Sequence, residues 1–541
     1  MPSYVLILPG AIDAHHGMMA RYGQRWARMT QDRDGVGTLD DGRGSSRMKP
    51  NIIFIMADDM GYGDVGCYNP ESKIPTPHMD RLAARGIRFR DAHSPSAVCT
   101  PTRYGVLTGR YCWRTRLKEG VIGGYARPLI EKERPTLASI LKHSGYHTAC
   151  IGKWHVGLGF QDRNGKPTEV EGQIDFSRPI TGGPAELGFD YAYYNAGCGT
   201  CAPPYGFIEN RHFVDQSFSL FDPSETGSLP SGGFAQSRGM MGESWVTRDA
   251  DPLITEKACA YLEERAHADV PFFLYLTPNA PHEPCQERFV PDFARDMSAA
   301  GARGDLVWLF DWVVGQVIET LERSGQLDNT LLFVTSDNGA LPGDFVLDDQ
   351  GRRLDSGTGR NEFLYRGYGH KPNAAWRGFK AHIWEGGHRI PLIASWPAAM
   401  AAHTVSDELF CLTDIMATCA SVAGVGLPDD AAEDGYDMLP ALLGRKPGDR
   451  PIRDATIHHS SYGVFSIRQG RWKMVLNCQD SGGWPTPRGS HPKPGTPGQL
   501  YDLVADPCET HNLWCERADI VRRLGRTWRS CGRRSRAGAK G

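Results

Sequence analysis

Asn51-Ile52-Ile53-Phe54-Ile55-Met56 sets large apolar side chains at successive positions, without the alternation of a strand that has one wet face. Such a run reads as a parallel strand buried on both faces. It leads into Ala57-Asp58-Asp59-Met60-Gly61-Tyr62-Gly63-Asp64, where the chain turns acidic and glycine-rich. The same pattern recurs. Thr148 to Ile151 runs into Gly152-Lys153-Trp154-His155, and Phe272-Phe273-Leu274-Tyr275-Leu276 runs into Thr277-Pro278-Asn279-Ala280-Pro281-His282. Thr330-Leu331-Leu332-Phe333-Val334-Thr335 runs into Ser336-Asp337-Asn338-Gly339. Each strand delivers polar residues just past its C-terminal end, the edge at which open α/β sheets bind ligands.

Helical signals lie between these strands. Thr76-Pro77 pairs a capping residue with proline at the first helical position, Met79, Leu82 and Ala83 share a face, and Gly86 stops the segment. Leu137, Ile140 and Leu141 share a face behind Arg134-Pro135-Thr136, closed by Gly145. Leu306, Phe310, Val313, Val317 and Leu321 keep helical spacing directly before the Thr330 strand. The alternation predicts an α/β fold with a large, mainly parallel sheet flanked by helices. Past the turn-rich Gly444 to Pro451, short strand-like runs appear at Gly463 to Arg468 and Trp472 to Leu476, and Gly482 to Gly498 reads as a surface loop. We therefore expect a main domain over 48–445, a smaller α+β domain with an antiparallel sheet over 446–522, and a basic, disordered tail over 523–541. Residues 1–47 show no periodicity, and neither the basic start nor the apolar stretch of a secretory signal. They read as a disordered or spurious extension ahead of Met48, which leans the expected localisation towards the cytoplasm.

Bulk composition narrows the partners. Lys and Arg total 60 against 63 Asp and Glu, a net charge of −3, so no nucleic-acid-coating surface is expected. An anionic substrate must be met by a local basic pocket. The longest apolar runs fall far short of the ~18 residues a membrane span needs. Among 14 cysteines, Cys150, Cys259, Cys411 and Cys419 lie in apolar stretches and read as core thiols. Cys198-Gly199-Thr200-Cys201 is a lone CxxC, open to a redox pair, a disulfide or half a zinc site. Its aromatic, Pro-rich surroundings favour a structural role.

The chemistry-bearing residues come next. Cys99-Thr100-Pro101-Thr102-Arg103 places a thiol just before a helix-starting proline, with an arginine four residues on. Backbone N–H groups at a helix start attract anions and lower a thiol's pKa, which marks Cys99 as a candidate reactive centre. Asp58, Asp59, Asp337 and Asn338 form two carboxylate-rich strand ends. Hard oxygen donors of this kind suit Ca²⁺ or Mg²⁺ rather than zinc, although Asp and Asn also cap ordinary turns. Lys153, His155, His282 and Lys380, each of which alone would commonly be a solvated residue, complete a basic set.

The Cys-x-Pro-x-Arg segment with Leu107-Thr108-Gly109-Arg110, together with Gly152-Lys153-Trp154-His155, Pro281-His282, and Lys380 ahead of Glu385-Gly386-Gly387, resembles the type I sulfatases of the alkaline phosphatase superfamily. The closing Leu500-Tyr501-Asp502-Leu503 with Asp506-Pro507, Glu509 and Asn512-Leu513 is similar to that family's C-terminal element. The resemblance spans Lys49 to Leu513, and the layout is similar to the arylsulfatase A and N-acetylgalactosamine-6-sulfatase branch. It implies an alkaline phosphatase-like catalytic domain over 48–445. It also implies that Cys99 is oxidised to formylglycine by a maturation enzyme, and that Ca²⁺ is held by Asp58, Asp59, Asp337, Asn338 and the modified Cys99. In that family the aldehyde hydrate attacks sulfur with inversion. By resemblance, Lys153 and Lys380 bind sulfate oxygens, and His282, with Lys380, protonates the departing alcohol. His155 then takes the proton that expels sulfate, and Arg103 orients residue 99 and stabilises its oxyanion.

The implied substrate is a small-molecule or oligosaccharide sulfate ester, a sugar rather than a steroid. Two other readings stay open: a phosphodiesterase or phosphonate hydrolase of the same superfamily, and an unmodified sulfated-glycan binding protein. His370, His382 and His458-His459 are read as satisfied or surface histidines rather than as a substrate rim, and Tyr191-Ala192-Tyr193-Tyr194 as either a sugar-stacking wall or packing.

Overall fold

The computed structural model describes residues 49–199, 201–223, 236–283, 285–341, 368–446, 448–484 and 496–533. The N-terminal extension and most of the Gly482 to Gly498 loop lie outside the described residues. The run at residue 51 forms β1 (Asn51–Ala57), in which every side chain from Ile52 to Ala57 has 0% exposure. It is a central strand of a sheet completed by β2 (Ile87–Phe89), β3 (His147–Lys153), β4 (Tyr191–Asn195), β5 (Phe207–Glu209), β6 (His212–Phe213), β7 (Phe272–Thr277), β8 (Thr330–Ser336), β9 (Leu392–Ser395) and β10 (Thr404–Ser406). Among the described residues the spatial order is β10-β2-β9-β8-β1-β7-β3-β4-β5-β6. The central strands β8, β1, β7, β3 and β4 run parallel, and antiparallel pairs occur only to either side of them. The fold is therefore the mainly parallel α/β architecture expected.

Register explains why the polar strand ends meet. Ala57 pairs with Ser336, Ile55 with Leu276, Thr277 with Gly152, and Lys153 with Asn195. Parallel strands in that alignment finish level, so whatever follows each of them shares one edge of the sheet. Gly152 is needed for this. Its φ is 109°, and a Cβ there would lie 2.2 Å from the Thr277 carbonyl oxygen.

Helices α1 (Pro77–Ala84), α2 (Cys99–Thr108), α3 (Leu137–His143), α4 (Ala250–Arg265) and α5 (Gly301–Arg323) accompany the sheet. Thr136 and Ser139 cap α3 reciprocally, side chain to backbone. At α1 the outcome differs from the sequence reading. Thr76 Oγ1 accepts the Gly66 N–H instead, and the Asp311 carboxylate of α5 accepts the first N–H groups of α1, from His78 (3.1 Å) and Met79 (2.8 Å). A carboxylate from a packed neighbour takes over the cap and also meets the positive end of the helix.

A second sheet, antiparallel throughout, orders β11 (Thr456–His459), β12 (Phe465–Gln469), β13 (Trp472–Val475) and β14 (Gln499–Asp502) side by side. It is tied to the Glu385-Gly386-Gly387 turn by a fully buried ionic knot. Lys473 Nζ lies 3.1 Å from Glu385 and 2.9 Å from Glu509, and Glu509 accepts the Glu385 backbone N–H at 2.6 Å. Glu509→Ala would leave Lys473 half paired and one N–H orphaned. We expect it to cost about 3 kcal/mol of unfolding free energy in denaturant titration.

The basic C-terminal stretch is a correction. Far from being disordered from Arg523, the chain is helical as α6 (Ala518–Arg533). Ile520, Leu524 and Trp528 recur every fourth residue and join a cluster with Ile467, Met474 and Leu500, while Arg522, Arg523, Arg526 and Arg529 occupy the other positions. The arginines are the wet side of an amphipathic helix, and their number masked a narrow apolar stripe. Leu524 has 0% exposure, so Leu524→Ala is expected to cost about 2–4 kcal/mol, measured the same way. Tyr193 stacks on Phe207 at 4.7 Å and Tyr194 is fully buried, so the tyrosine run at Tyr191 packs.

Candidate active site

Helix α2 starts at Cys99, and all ten of its residues are buried. Its first turn points at the level strand ends, and Arg103 fastens them together. Arg103 donates to the Lys153 carbonyl (3.0 Å) and to Asp337 Oδ2 (2.9 Å), and lies 3.6 Å from Asp58 Oδ1. The Cys99 sulfur and carboxylate oxygens of Asp58 and Asp337 all lie within 4.8 Å of one another.

The acidic turn after β1 is held under strain. Asp59 sits at φ 74°, a region costly for a residue with a side chain. Its N–H donates to Asp337 Oδ1 (3.2 Å) and its carbonyl accepts from Arg303 (3.1 Å). Arg303 also donates twice to Asp64, at 2.9 and 2.7 Å, while Asp64 accepts the Gly61 N–H and contacts His370 Nε2 at 2.8 Å. Arg303, Asp64 and His370 are thus positioning residues for the turn, and His370 is a satisfied histidine, not a rim.

Asp58, Asp59, Asp337 and Asn338 are all at 0% exposure. Lys153 Nζ meets Asp58 Oδ2 at 2.5 Å, and Lys380 Nζ meets Asp59 Oδ2 at 2.7 Å. Asn338 Nδ2 donates to Asp59 Oδ1 at 2.7 Å. Asp58 Oδ1 and Asn338 Oδ1, both buried, accept no hydrogen bond from the described residues. Two orphaned oxygens within a cluster of carboxylates fit a hard, oxygen-seeking cation. The electrostatics agree. Burial opposes the charge on Asp58, but Lys153, His282, Arg103 and Lys380 outweigh it and hold the acid well below the usual range. Burial and the charge of Asp58 push Asp337 up to about 7, against the pull of Arg103. Carboxylates crowded this closely do not all ionise without an additional positive charge.

Two histidines have opposite characters. Burial and Lys380 pull His282 down, but Cys198, Asp58 and Asp59 lift it to about 10. Its Nε2 lies 3.0 Å from Lys380 Nζ and 3.5 Å from Asp59 Oδ2. Burial, with Lys153 and Arg103, drives His155 well below the usual imidazole range. His155 Nε2 lies 2.8 Å from the Ile122 carbonyl, so it carries the hydrogen, while Nδ1 meets no partner among the described residues. Environments that split two titratable groups in this way mark an acid and a base. Cys99, His155, His282 and Lys380 retain 3%, 4%, 4% and 5% exposure, while Arg103 and Lys153 have none. The first four therefore keep a trace of solvent contact that Arg103 and Lys153 lack.

Cys99 itself departs from the sequence argument. Burial raises its thiol pKa, Lys153 and Lys380 lower it, Asp58 and Asp337 raise it, and the net shift is upward. The helix start does not activate the sulfur. Sequence reasoning also missed Asp251 on α4, whose carboxylate accepts the Asn279 and Ala280 N–H groups (2.7 Å each) and shapes the loop that ends in His282. It read Cys198 as part of a CxxC with a structural role and missed its partner, for the sulfur lies 3.1 Å from His282 Nδ1. Neither contact leaves a local signal, since the partners are far apart in the chain. His382 Nε2 contacts the Trp484 carbonyl, and His458 and His459 are buried in β11.

The architecture and the chain have known counterparts. The Sulfatase family model matches residues 50–425. An N-acetylgalactosamine-6-O-sulfatase of Bacteroides thetaiotaomicron is 33% identical over 512 residues, covering 89% of this chain and 93% of that protein. Human arylsulfatase A is 32% identical over 481 residues, covering 86% of this chain and 83% of that protein. A solved structure from work on the metabolism of multiple glycosaminoglycans by Bacteroides thetaiotaomicron superposes with a TM-score of 0.74 at 32% identity, covering 90% of this chain and 99% of the other. With the family match running through every strand end that meets at this site, the chain belongs to the sulfatases and is a sulfuric ester hydrolase.

Proposed function

We propose that this sulfatase hydrolyses carbohydrate sulfate monoesters, with residue 99 matured from cysteine to formylglycine by a dedicated enzyme. We further propose that Asp58, Asp59, Asp337 and Asn338 hold Ca²⁺ beside it. The observation that carries this reading is the Cys99 sulfur seated against the Asp58 and Asp337 oxygens, with two buried ammonium groups alongside. When present, the hydrated aldehyde supplies an oxygen nucleophile with a built-in exit, and the cation neutralises sulfate oxygens. A thiol raised by burial is a poor nucleophile and would be trapped as a stable ester, which is the physical reason for the modification.

The remaining work falls to the chain's own side chains. Lys153 and Lys380, each held in place by one carboxylate, offer fixed positive charge to the sulfate oxygens. His282 carries the proton that the departing alcohol needs, with Lys380 against its Nε2. His155, neutral and with its hydrogen committed to Ile122, takes up the proton released when sulfate leaves. Arg103, held by Asp337 and the Lys153 backbone, is a positioning residue that would orient residue 99 and stabilise its oxyanion. A sugar substrate is supported by the names of the relatives, one an N-acetylgalactosamine-6-O-sulfatase and one solved in work on glycosaminoglycans.

The test is to isolate the enzyme from its own organism, weigh the tryptic peptide from Asp91 to Arg103, and compare kcat/KM on sugar, steroid and aryl sulfates and on aryl phosphate diesters. An aldehyde at position 99 and at least about tenfold preference for a sugar sulfate are expected. A fully active enzyme whose peptide carries only the thiol, or a faster phosphate diester, would overturn the reading.

A further inference from the structure

Cys198 and Cys201 stand on a turn closed by the Ala202 N–H donating to the Cys198 carbonyl at 3.0 Å. Two cysteines separated by two residues are a common spacing for gripping one zinc-class ion. A third donor faces them from the loop after β7. His282 Nδ1 lies 3.1 Å from Cys198 Sγ and 3.9 Å from Cys201 Sγ, and the three donor atoms lie within 4.8 Å of one another. A tetrahedral zinc ion, with Zn–S about 2.3 Å and Zn–N about 2.0 Å, spaces such donors about 3.5–3.8 Å apart. The distances found here straddle that range, so side-chain adjustment alone completes the grip.

We propose that Cys198, Cys201 and His282 form a second metal site, selective for zinc-class ions and separate from the oxygen cradle. Two sulfurs and an imidazole suit a borderline-soft cation and poorly suit Ca²⁺, which takes oxygen donors, so the two sites sort their ions by donor chemistry. Cys198 and His282 are buried at 2% and 4% exposure, whereas Cys201 is partly exposed and gives the ion its route in. Ligation requires both thiols and His282 Nδ1 to release their protons to solvent, and Nδ1 to give up the Glu283 carbonyl it now contacts at 2.9 Å. The two sites meet in one ring. His282 Nε2 faces Lys380 and Asp59, so an ion on Nδ1 takes away the imidazole's spare proton and inhibits turnover. That consequence rests on His282 being the proton donor, while ion binding does not.

The full-length enzyme, reduced and dialysed in excess Ca²⁺, is titrated with Zn²⁺ and its metal content measured, in parallel with Cys198→Ser and Cys201→Ser. The parent should bind one more equivalent than either variant. Co²⁺ in place of Zn²⁺ should give the parent a thiolate-to-cobalt charge-transfer absorption that both variants lose. Equal zinc uptake by all three proteins, or a cobalt spectrum of the parent without sulfur charge transfer, overturns the proposal. Zinc should also inhibit sulfate release by the parent at least about tenfold more strongly than by Cys201→Ser. Extra zinc bound without inhibition retains the site and rejects His282 as the acid, which keeps the two failures distinct.

Discussion

Cys99→Ala should lower kcat on an aryl sulfate by about 10⁴-fold or more, while the thermal unfolding midpoint stays within about 3 °C of the parent. The two halves of this expectation have separate causes. Cys99 is the first residue of a helix whose ten residues are all buried, and alanine keeps that backbone while removing a single sulfur atom. The cavity left is small, so the stability loss is about 1 kcal/mol, a small shift in a chain of this size. The activity loss is expected to be large because, on the proposed mechanism, the oxygen that attacks sulfur is made from this side chain. The proposed sulfate-binding groups, Lys153 and Lys380, would remain, so the variant should retain product inhibition by inorganic sulfate. Turnover within tenfold of the parent would remove Cys99 from the chemistry.

Removing the proposed cation is the second large effect. Dialysis against EGTA is expected to reduce activity at least about 100-fold and lower the unfolding midpoint by several degrees, with Ca²⁺ restoring both. Three buried carboxylates share this edge of the sheet, and without a cation they do not all stay charged. Asp337 is pushed up to about 7 while Asp58 is held low. An ion that binds only the folded chain at 1,000 times its Kd contributes about 4 kcal/mol to stability. Asp59→Ala should abolish the calcium response of the midpoint, and it also frees Lys380 from its 2.7 Å partner. A midpoint and activity indifferent to EGTA would show that Arg103, Lys153 and Lys380 alone balance the acids.

Much of this molecule is written locally. The run from Ile52 to Met56 reads as a doubly buried strand because it is short, rich in β-branched isoleucine and followed by a glycine-rich turn. The polar residues at the four strand ends, and the thiol ahead of Pro101, could also be picked out: each interrupts a pattern that burial demands. The Arg523 segment shows the limit. Its arginines dominate the composition, and only contact with Ile467 and Leu500 reveals Ile520 and Leu524 as the buried stripe of a helix.

What the sequence by itself determined is the set of chemical groups and the kind of strand that carries each one. Tertiary structure decided which of them touch. Register set Asp58 beside Asp337, Arg303 and Asp64 held Asp59 in its strained turn, and Asp251 shaped the loop that ends in His282. It also decided that Cys99 is a raised thiol rather than an activated one, and that Cys198 meets His282. The reason is physical. Strand and helix identity follows from side-chain pattern over a few residues, whereas charge balance and ligand geometry depend on groups tens to hundreds of residues apart, brought together only when the sheet closes.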